Sequence, residues 1–565
     1  MSSYLTLPKD LVSNCFSYLS TTEKFFRPLY SSTTKSAPKK MDLSMIAAEY
    51  GRCTWIKVAA LAGCTAVLMG AYGAHGLKNI SNERRQVFET ANKYHFYHAL
   101  AMLAVPFLKR YHLVGALFSS GIMVFCGTCY CNAITGNESV IRYTPIGGWM
   151  FIIGCLMISV FGSELFLVET IPDELEYSRS IISSQPTFES WIHLLNSANH
   201  SIDIASYYWT LFGHDVMNNP PVESIKGKKI FDALINAKEF RSIQTRIVAN
   251  EDAYYKSSNL DILKRFADIR LLNMTRLQGT GILHTKFIVV DRKDFYIGSA
   301  NMDWRSLTHV KELGLIIRNN LELADDLMKI FEIYWFLAQD DSIIPSKWPK
   351  KFQNRINFTN PLQIESDYEN FYTSYLTSSP PRLCPQERTQ DIDAILTIIF
   401  QADHFIYIAV MDYFPLFKYQ KFRSYWPVID DALRRAAVEK HVEIRLLASQ
   451  WNHTSPSMHL FLKSLSILNK PKILKGSISV KLFTFPQCPY QSQTIPYSEV
   501  NHNKYMVTDK TLYVGTSNWS ADYFVFDCGS ALILDLIESN RSKLHQEAVD
   551  VFIRDWNSEY ALNIE

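Results

Sequence analysis

The chain has 565 residues, 47% hydrophobic and 20% charged, more than one hydrophobic core usually organises, so several domains are expected. Aromatic residues at 13% exclude a disordered polymer, and a formal charge of +2 excludes a global polycation that would hold nucleic acid by charge alone. The 15 histidines would add positive charge in an acidic compartment.

In chain order, residues 1–50 form a basic N-terminal tail without the sustained apolar core of a cleavable signal peptide. Four apolar runs follow: Val58–Ala74, Tyr94–Leu108, Leu113–Ile134 and Ile146–Val168. The last two have the ~20 residues that a bilayer crossing needs, and the first two are shorter. Glycines at close spacing (Gly63, Gly70, Gly73; Gly115, Gly121, Gly127) suit helix packing in lipid. Residues 51–168 are therefore expected to be an all-α membrane domain of about four helices. AYGAHG (Ala71–Gly76), FETANKYHFYHALAML (Phe88–Leu103) and PIGGWMFIIG (Pro145–Gly154) resemble the transmembrane protein 256 family of small four-helix membrane proteins. That resemblance implies membrane residence and no defined activity. His75, His95 and His98 read as packing or interfacial histidines.

After Pro172 the pattern becomes α/β. SIDIASYYWTL (Ser201–Leu211) reads as a buried strand behind a helix, and FIYIAVMDYFPL (Phe405–Leu416) repeats it. TRIVAN (Thr245–Asn250) recurs as EIRLLAS (Glu443–Ser449), and DIRLLN (Asp268–Asn273) as SVKLFTF (Ser479–Phe485). The order is conserved between the copies, which marks a twofold internal duplication of helix-covered sheets. SSPPRLCP (Ser378–Pro385) is the turn-rich boundary, giving lobes at 169–385 and 386–565.

Each copy then reaches one segment: HTKFIVVDRKDFYIGSAN from His284, and HNKYMVTDKTLYVGTSN from His502. Alternate residues of an extended chain share a face, so His284 projects with Lys286, and His502 with Lys504. Ser299 and Asn301, and Ser517 and Asn518, follow at the end of the next strand. Two such half-sites around a pseudo-twofold make a cleft suited to a phosphodiester. Lysines and asparagines would hold the non-bridging oxygens; one histidine would attack phosphorus, and the other would protonate the departing oxygen. No metal site and no cofactor is implied.

These two HxKxxxxD segments identify the chain as resembling the phospholipase D superfamily. FYIGSANMDWRSLT, VKELG (Val310–Gly314), IFEIYWFL (Ile330–Leu337), SIIPSKWP (Ser342–Pro349), VNHNKYMVT and YVGTSNWS resemble its lysosomal branch, phospholipase D three and four, across roughly residues 165–560. The resemblance implies a two-lobed phospholipase D fold with His284, Lys286, Asp291, His502, Lys504 and Asp509 as catalytic motifs. It implies His284 as nucleophile and His502 as general acid/base, a pairing that near-symmetry leaves reversible. Glu312 and Asp527 lie where the superfamily keeps acids that orient the histidines. The branch implies a 5′ exonuclease on single-stranded DNA and RNA. The alternative is a phospholipid hydrolase or transphosphatidylase that makes bis(monoacylglycero)phosphate, and an inactive membrane-anchored interaction protein is the third reading. Tyr207, Tyr208, Trp209, Tyr413 and Phe414 are candidates to stack bases or to line the core. KGKK (Lys226–Lys229) is a candidate phosphate contact or a solvated helix start. The partners implied are single-stranded nucleic acid or phospholipid, and the membrane; a homodimer is left open.

Sequons at Asn199, Asn273, Asn357, Asn452 and Asn540, and acids after the fourth run, fit a lumenal enzyme domain, and the resemblance to the lysosomal branch implies a route from endoplasmic reticulum and Golgi to the endolysosome. The basic tail prefers the cytosol. Four spans would put both on one side, so one run fails to span, or the tail is lumenal, or the coding sequence joins two genes. The branch's disulfide framework is not carried over: IIRNNLELADD (Ile316–Asp326) replaces a cysteine pair, and Cys384 lacks its usual partner.

Overall fold

The structure, a computed structural model, describes residues 54–77, 80–107, 111–158, 163–177, 184–254, 258–366, 370–421, 423–486, 495–537 and 542–564. The tail at 1–50, Cys488 and the Asn540 sequon lie outside these residues. The chain divides into two compact units, Met1–Phe161 and Gly162–Glu565.

The described part of the first unit is helical: α1 (Thr54–His75), α2 (Asn82–Ala101), α3 (Tyr111–Gly121), α4 (Gly127–Thr135) and α5 (Thr144–Ile158). A π-turn over Ile122–Cys126 joins α3 to α4. Small residues let the helices approach: a Cβ on Gly147 would lie 2.3 Å from the backbone nitrogen of Phe125, and one on Gly115 2.3 Å from the Trp55 ring. Among the described residues, three stretches are long and apolar enough to cross a membrane, Thr54–His75, Tyr111–Thr135 and Glu138–Leu156. The expected second span is not among them, because α2 opens on the charged run NERRQ. His98 stacks on Phe151 at 3.5 Å, and His95 contacts Thr65 and Tyr130, so both pack, while His75 is exposed.

The fourth apolar run is corrected at its end. Glu164–Thr170 is not helix but strand β1, the beginning of the second unit. Its apolar side chains are buried in a sheet rather than in lipid, a distinction that hydrophobicity alone cannot draw.

The second unit carries two sheets of one design. In the first half, β2 is Ser201–Ser206, β3 Gln244–Asn250, β4 Asp268–Leu272, β5 Phe287–Val290, β6 Asp294–Gly298 and β7 Val310–Arg318, in the order β1-β7-β6-β5-β2-β3-β4. In the second half, β8 is Leu362–Ser366, β9 Asn370–Ser378, β10 Phe405–Val410, β11 Glu443–Gln450, β12 Ser477–Thr484, β13 Lys504–Thr508, β14 Thr511–Gly515 and β15 Ser530–Leu536. Their order, β8-β9-β15-β14-β13-β10-β11-β12, repeats the first after the extra edge strand β8, with the same parallel and antiparallel pairings. β8 and β9 precede the division drawn at 385, yet they pair in the second sheet. Two seams join the halves. Val310 and Lys311 pair in parallel with Val500 and Asn501, and Leu283 bridges Cys528.

The core of the second half holds a buried acid hydrogen-bonded only to hydroxyl groups. Asp391 is fully buried and accepts hydrogen bonds from Thr377 and from Tyr513. Burial pushes its carboxyl up to about 6. A raised folded value stabilises the protonated form, so stability is lost as pH rises through about 6. Asp391→Asn is expected to raise the unfolding midpoint at about pH 7.5, with the gain shrinking steadily towards pH 4. Thermal unfolding followed by fluorescence at both pH values checks this.

Candidate active site

The site is built on the two seams. The His284 N–H donates to the Cys528 carbonyl at 3.0 Å, and the His502 N–H to the Lys311 carbonyl at 2.8 Å. Each histidine is thus pinned by the opposite half, and each stands just ahead of the strand its lysine leads into. Lys286 donates from its ammonium to the His284 carbonyl, and Lys504 to the His502 carbonyl at 2.6 Å. His284, Lys286 and Lys504 are buried, His502 is partly buried, and the lysines act electrostatically on both histidines. Burial first, then Lys286, Lys504 and His502, pushes the His284 imidazole well below its ordinary value. Burial and the partner lysine lower Lys286 well below the usual range, and burial brings Lys504 to about 7 against the pull of Glu312 and Asp412.

Glu312 faces His502. Its carboxylate accepts from His502 Nδ1 at 2.8 Å, from the Ser299 hydroxyl at 2.6 Å and from the Ser306 hydroxyl at 2.7 Å. That fixes the proton of His502 on Nδ1, leaves Nε2 for the cleft and stabilises an imidazolium. Burial lowers His502, Glu312 opposes this, and the net shift is downward.

Asp527 does not play the matching part. It accepts the Ile282 N–H at 2.9 Å, and burial pushes it up to about 8. His284 Nδ1 is buried without a hydrogen-bond partner. The reason lies in the repeat. The Ser299 hydroxyl accepts from the Leu313 N–H at 2.9 Å, and the Thr516 hydroxyl accepts from the Ser530 N–H at 3.0 Å, so Thr516 and not Ser517 is the counterpart of Ser299. The residue before Leu313 is Glu312; the residue before Ser530 is Gly529. A Cβ on Gly529 would meet the Ser517 hydroxyl at 2.2 Å and the Ser379 hydroxyl at 2.8 Å, so serines fill the place of a second acid.

Asp291 and Asp509 stand apart. Asp291 accepts the backbone N–H groups of Asn199, His200 and Ser201 at 2.7–2.9 Å, and Asp509 those of Asp403 and His404. They hold the entries of β2 and β10, at the far ends of the strands that leave Lys286 and Lys504, roughly 16 Å along an extended chain. Asn301 Oδ1, Asn518 Oδ1 and Ser517 Oγ are buried without partners, while Asn518 Nδ2 donates to the Tyr523 hydroxyl at 3.0 Å.

Of the aromatic candidates, Trp209, Tyr413 and Phe414 are buried in the cores, and Tyr208 donates to Asp303. Tyr207 does face the site, with its ring 5.5 Å from His284 and 5.8 Å from the Lys286 ammonium. Sequence reasoning missed Tyr523, whose ring meets His284 edge-on at 4.8 Å. Its only signal was a position shortly after the GTSN turn. In the KGKK run, Lys228 pairs with Asp232 on an exposed helix face.

Two His–Lys half-sites on duplicated α/β sheets define a phosphodiesterase of the phospholipase D type. Residues 181–488 match the family model described as PLD3/4, PLD-like domain, and residues 69–148 match a protein family of unknown function, DUF423. The 5′-3′ exonuclease PLD3 of Rattus norvegicus is 44% identical over 402 residues, covering 71% of this chain and 81% of that protein. PLD3 of Homo sapiens is 42% identical over 404 residues, covering 71% and 81%. The 5′-3′ exonuclease PLD4 of Mus musculus is 42% identical over 411 residues, covering 71% and 80%. The chain belongs to the PLD3/4 family of the phospholipase D superfamily.

Proposed function

We propose that the chain is a metal-independent 5′ exonuclease on single-stranded DNA and RNA, working through a phosphohistidine. The observation that carries the chemistry is the unequal pair of histidines. Burial and the lysines favour neutral His284, with a lone pair to give; Glu312 accepts from His502 and offsets part of the burial that disfavours its charged form. His284 Nε2 attacks phosphorus, the scissile P–O bond breaks, and His502 gives its proton to the departing oxygen. His502 then takes a proton from water, which displaces His284 from phosphorus. Lys286, Lys504, Asn301 and Asn518 face the non-bridging oxygens, and Asp291 and Asp509 act by holding the strands. The choice of nucleic acid is supported by the named activity of relatives 42–44% identical. The full chain in detergent with EDTA is expected to shorten a 5′-hydroxyl single-stranded oligonucleotide stepwise from that end. An intact oligonucleotide would sink the reading.

Phosphatidyl transfer is the second reading, favoured by the three apolar helices; phosphatidylglycerol with a monoacyl acceptor tests it. In either case three crossings would set the basic tail in the cytosol and the enzyme in the lumen leading to endolysosomes. The exposed sequons Asn199 and Asn452 support that side, whereas Asn357 is buried.

A further inference from the structure

The His284 side of the cleft carries a feature that the catalytic steps do not use. Beyond β10 and Tyr413–Phe414, the strap Leu416–Lys421 runs past the site. Asp522 holds it, accepting the Lys418 N–H at 2.5 Å and the Tyr419 N–H at 3.3 Å. The Lys418 ammonium pairs with Asp412 at 2.7 Å and lies 5.2 Å from the Tyr419 ring centre. The Tyr419 ring, 58% exposed, stands 6.1 Å from Tyr523, which itself stands on His284. Gln420 Nε2 then crosses to the first half and donates to the Thr280 hydroxyl at 3.2 Å. Thr280 has a firm footing. Gln278 Nε2 donates to the Phe526 carbonyl at 2.6 Å, and a Cβ on Gly281 would lie 2.3 Å from that same oxygen. The corresponding loop of the first half, Leu211–Asp215, stays on its own half: Asp215 accepts from Ser258 at 2.7 Å and from Asn259 at 2.6 Å.

An enzyme that cuts within a strand needs a groove open on both sides of the reacting phosphorus. Here a hydrogen-bonded bridge joins the halves on the side where the exposed Tyr419 ring neighbours Tyr523, the ring that meets His284. We propose that the strap is the stop that confines hydrolysis to chain ends. The Tyr419 ring receives the base of the terminal nucleotide, and the Gln420–Thr280 bridge denies passage to a strand that continues. The inference rests on the exonuclease reading above and gives it a structural cause.

The test uses the full chain in detergent, with Tyr419→Ala, Gln420→Ala, the double variant and Tyr419→Phe. Substrates are a linear 5′-hydroxyl single-stranded DNA and a closed circle of the same sequence, and melting curves confirm folding. Wild type and Tyr419→Phe are expected to digest the linear strand and spare the circle. The double variant is expected to open circles at least ~10-fold faster than wild type. Loss of one stacked base would raise KM on the linear strand about 5- to 150-fold in Tyr419→Ala. A folded double variant that spares circles, or a wild type that opens them, overturns the proposal and leaves the exonuclease reading standing. A wild type inert on linear DNA but active on phosphatidylglycerol overturns both.

Discussion

His284→Ala is expected to abolish turnover, and His502→Ala to arrest it half-way. The first removes the atom that bonds to phosphorus, so neither step can start. The second removes the proton donor and the base, each worth roughly 10²–10⁴ in rate. A diester with a good leaving group needs little protonation. On bis(p-nitrophenyl) phosphate, His502→Ala should therefore release one equivalent of nitrophenolate and stop, leaving His284 phosphorylated. Mass spectrometry of the peptide containing His284 should find the modification in that variant and none in His284→Ala. Phosphate on His502 in the His284→Ala protein would show that the roles are reversed.

The second large effect is expected away from the cleft. Lys311, whose carbonyl receives the His502 N–H, sends its ammonium into a sealed group of four charges. It lies 2.6 Å from Glu169 and 2.9 Å from Asp555, and Arg554 pairs with the same two acids. Burial pushes Glu169 up, but Lys311 and Arg554 together outweigh it and hold the carboxyl below its ordinary range. Lys311→Met would leave two buried carboxylates facing one guanidinium, a loss of about 3–5 kcal/mol. Denaturant titration of the full chain should show this as a lower midpoint for the enzyme unit. A depressed carboxyl stabilises above its ordinary value and loses that contribution as pH falls through its folded value, so the deficit should narrow in strong acid. A pairwise cycle with Glu169→Gln should show strong coupling, because the two side chains touch. An unchanged midpoint would mean that the four charges contribute nothing net to folding.

The repeat and its four central side chains were legible because the spacing of His, Lys and GSxN is covalent and survives any packing. Asp291 and Asp509 carry the same regular spacing, yet their carboxylates are spent on backbone N–H groups at the strand entries. Spacing shows that a residue recurs, not which way its side chain faces. Asp527 was expected, with Glu312, to orient a histidine because it lies where the superfamily keeps such acids. The strand register instead aligns Gly529 with Glu312, and register is invisible until the sheets are paired. Trp209 and Tyr413 were ambiguous for a related reason: an aromatic residue at a strand end can face the core or the cleft. β1 was read as the tail of a membrane helix because ELFLVET is apolar enough for either solvent.

Among the described residues, Glu312 is the one carboxylate hydrogen-bonded to a site histidine, and that has a bearing on direction. A strand of nucleic acid has a head and a tail. A cleft with perfect twofold symmetry would accept it either way round and cut it in both senses. With Glu312 on one side and Gly529 on the other, only one orientation sets the departing oxygen beside the buttressed histidine. With the roles proposed for His284 and His502, polarity of digestion would come not from the substrate's bases but from the enzyme's own asymmetry, an acid at one place of the repeat and a glycine at the other.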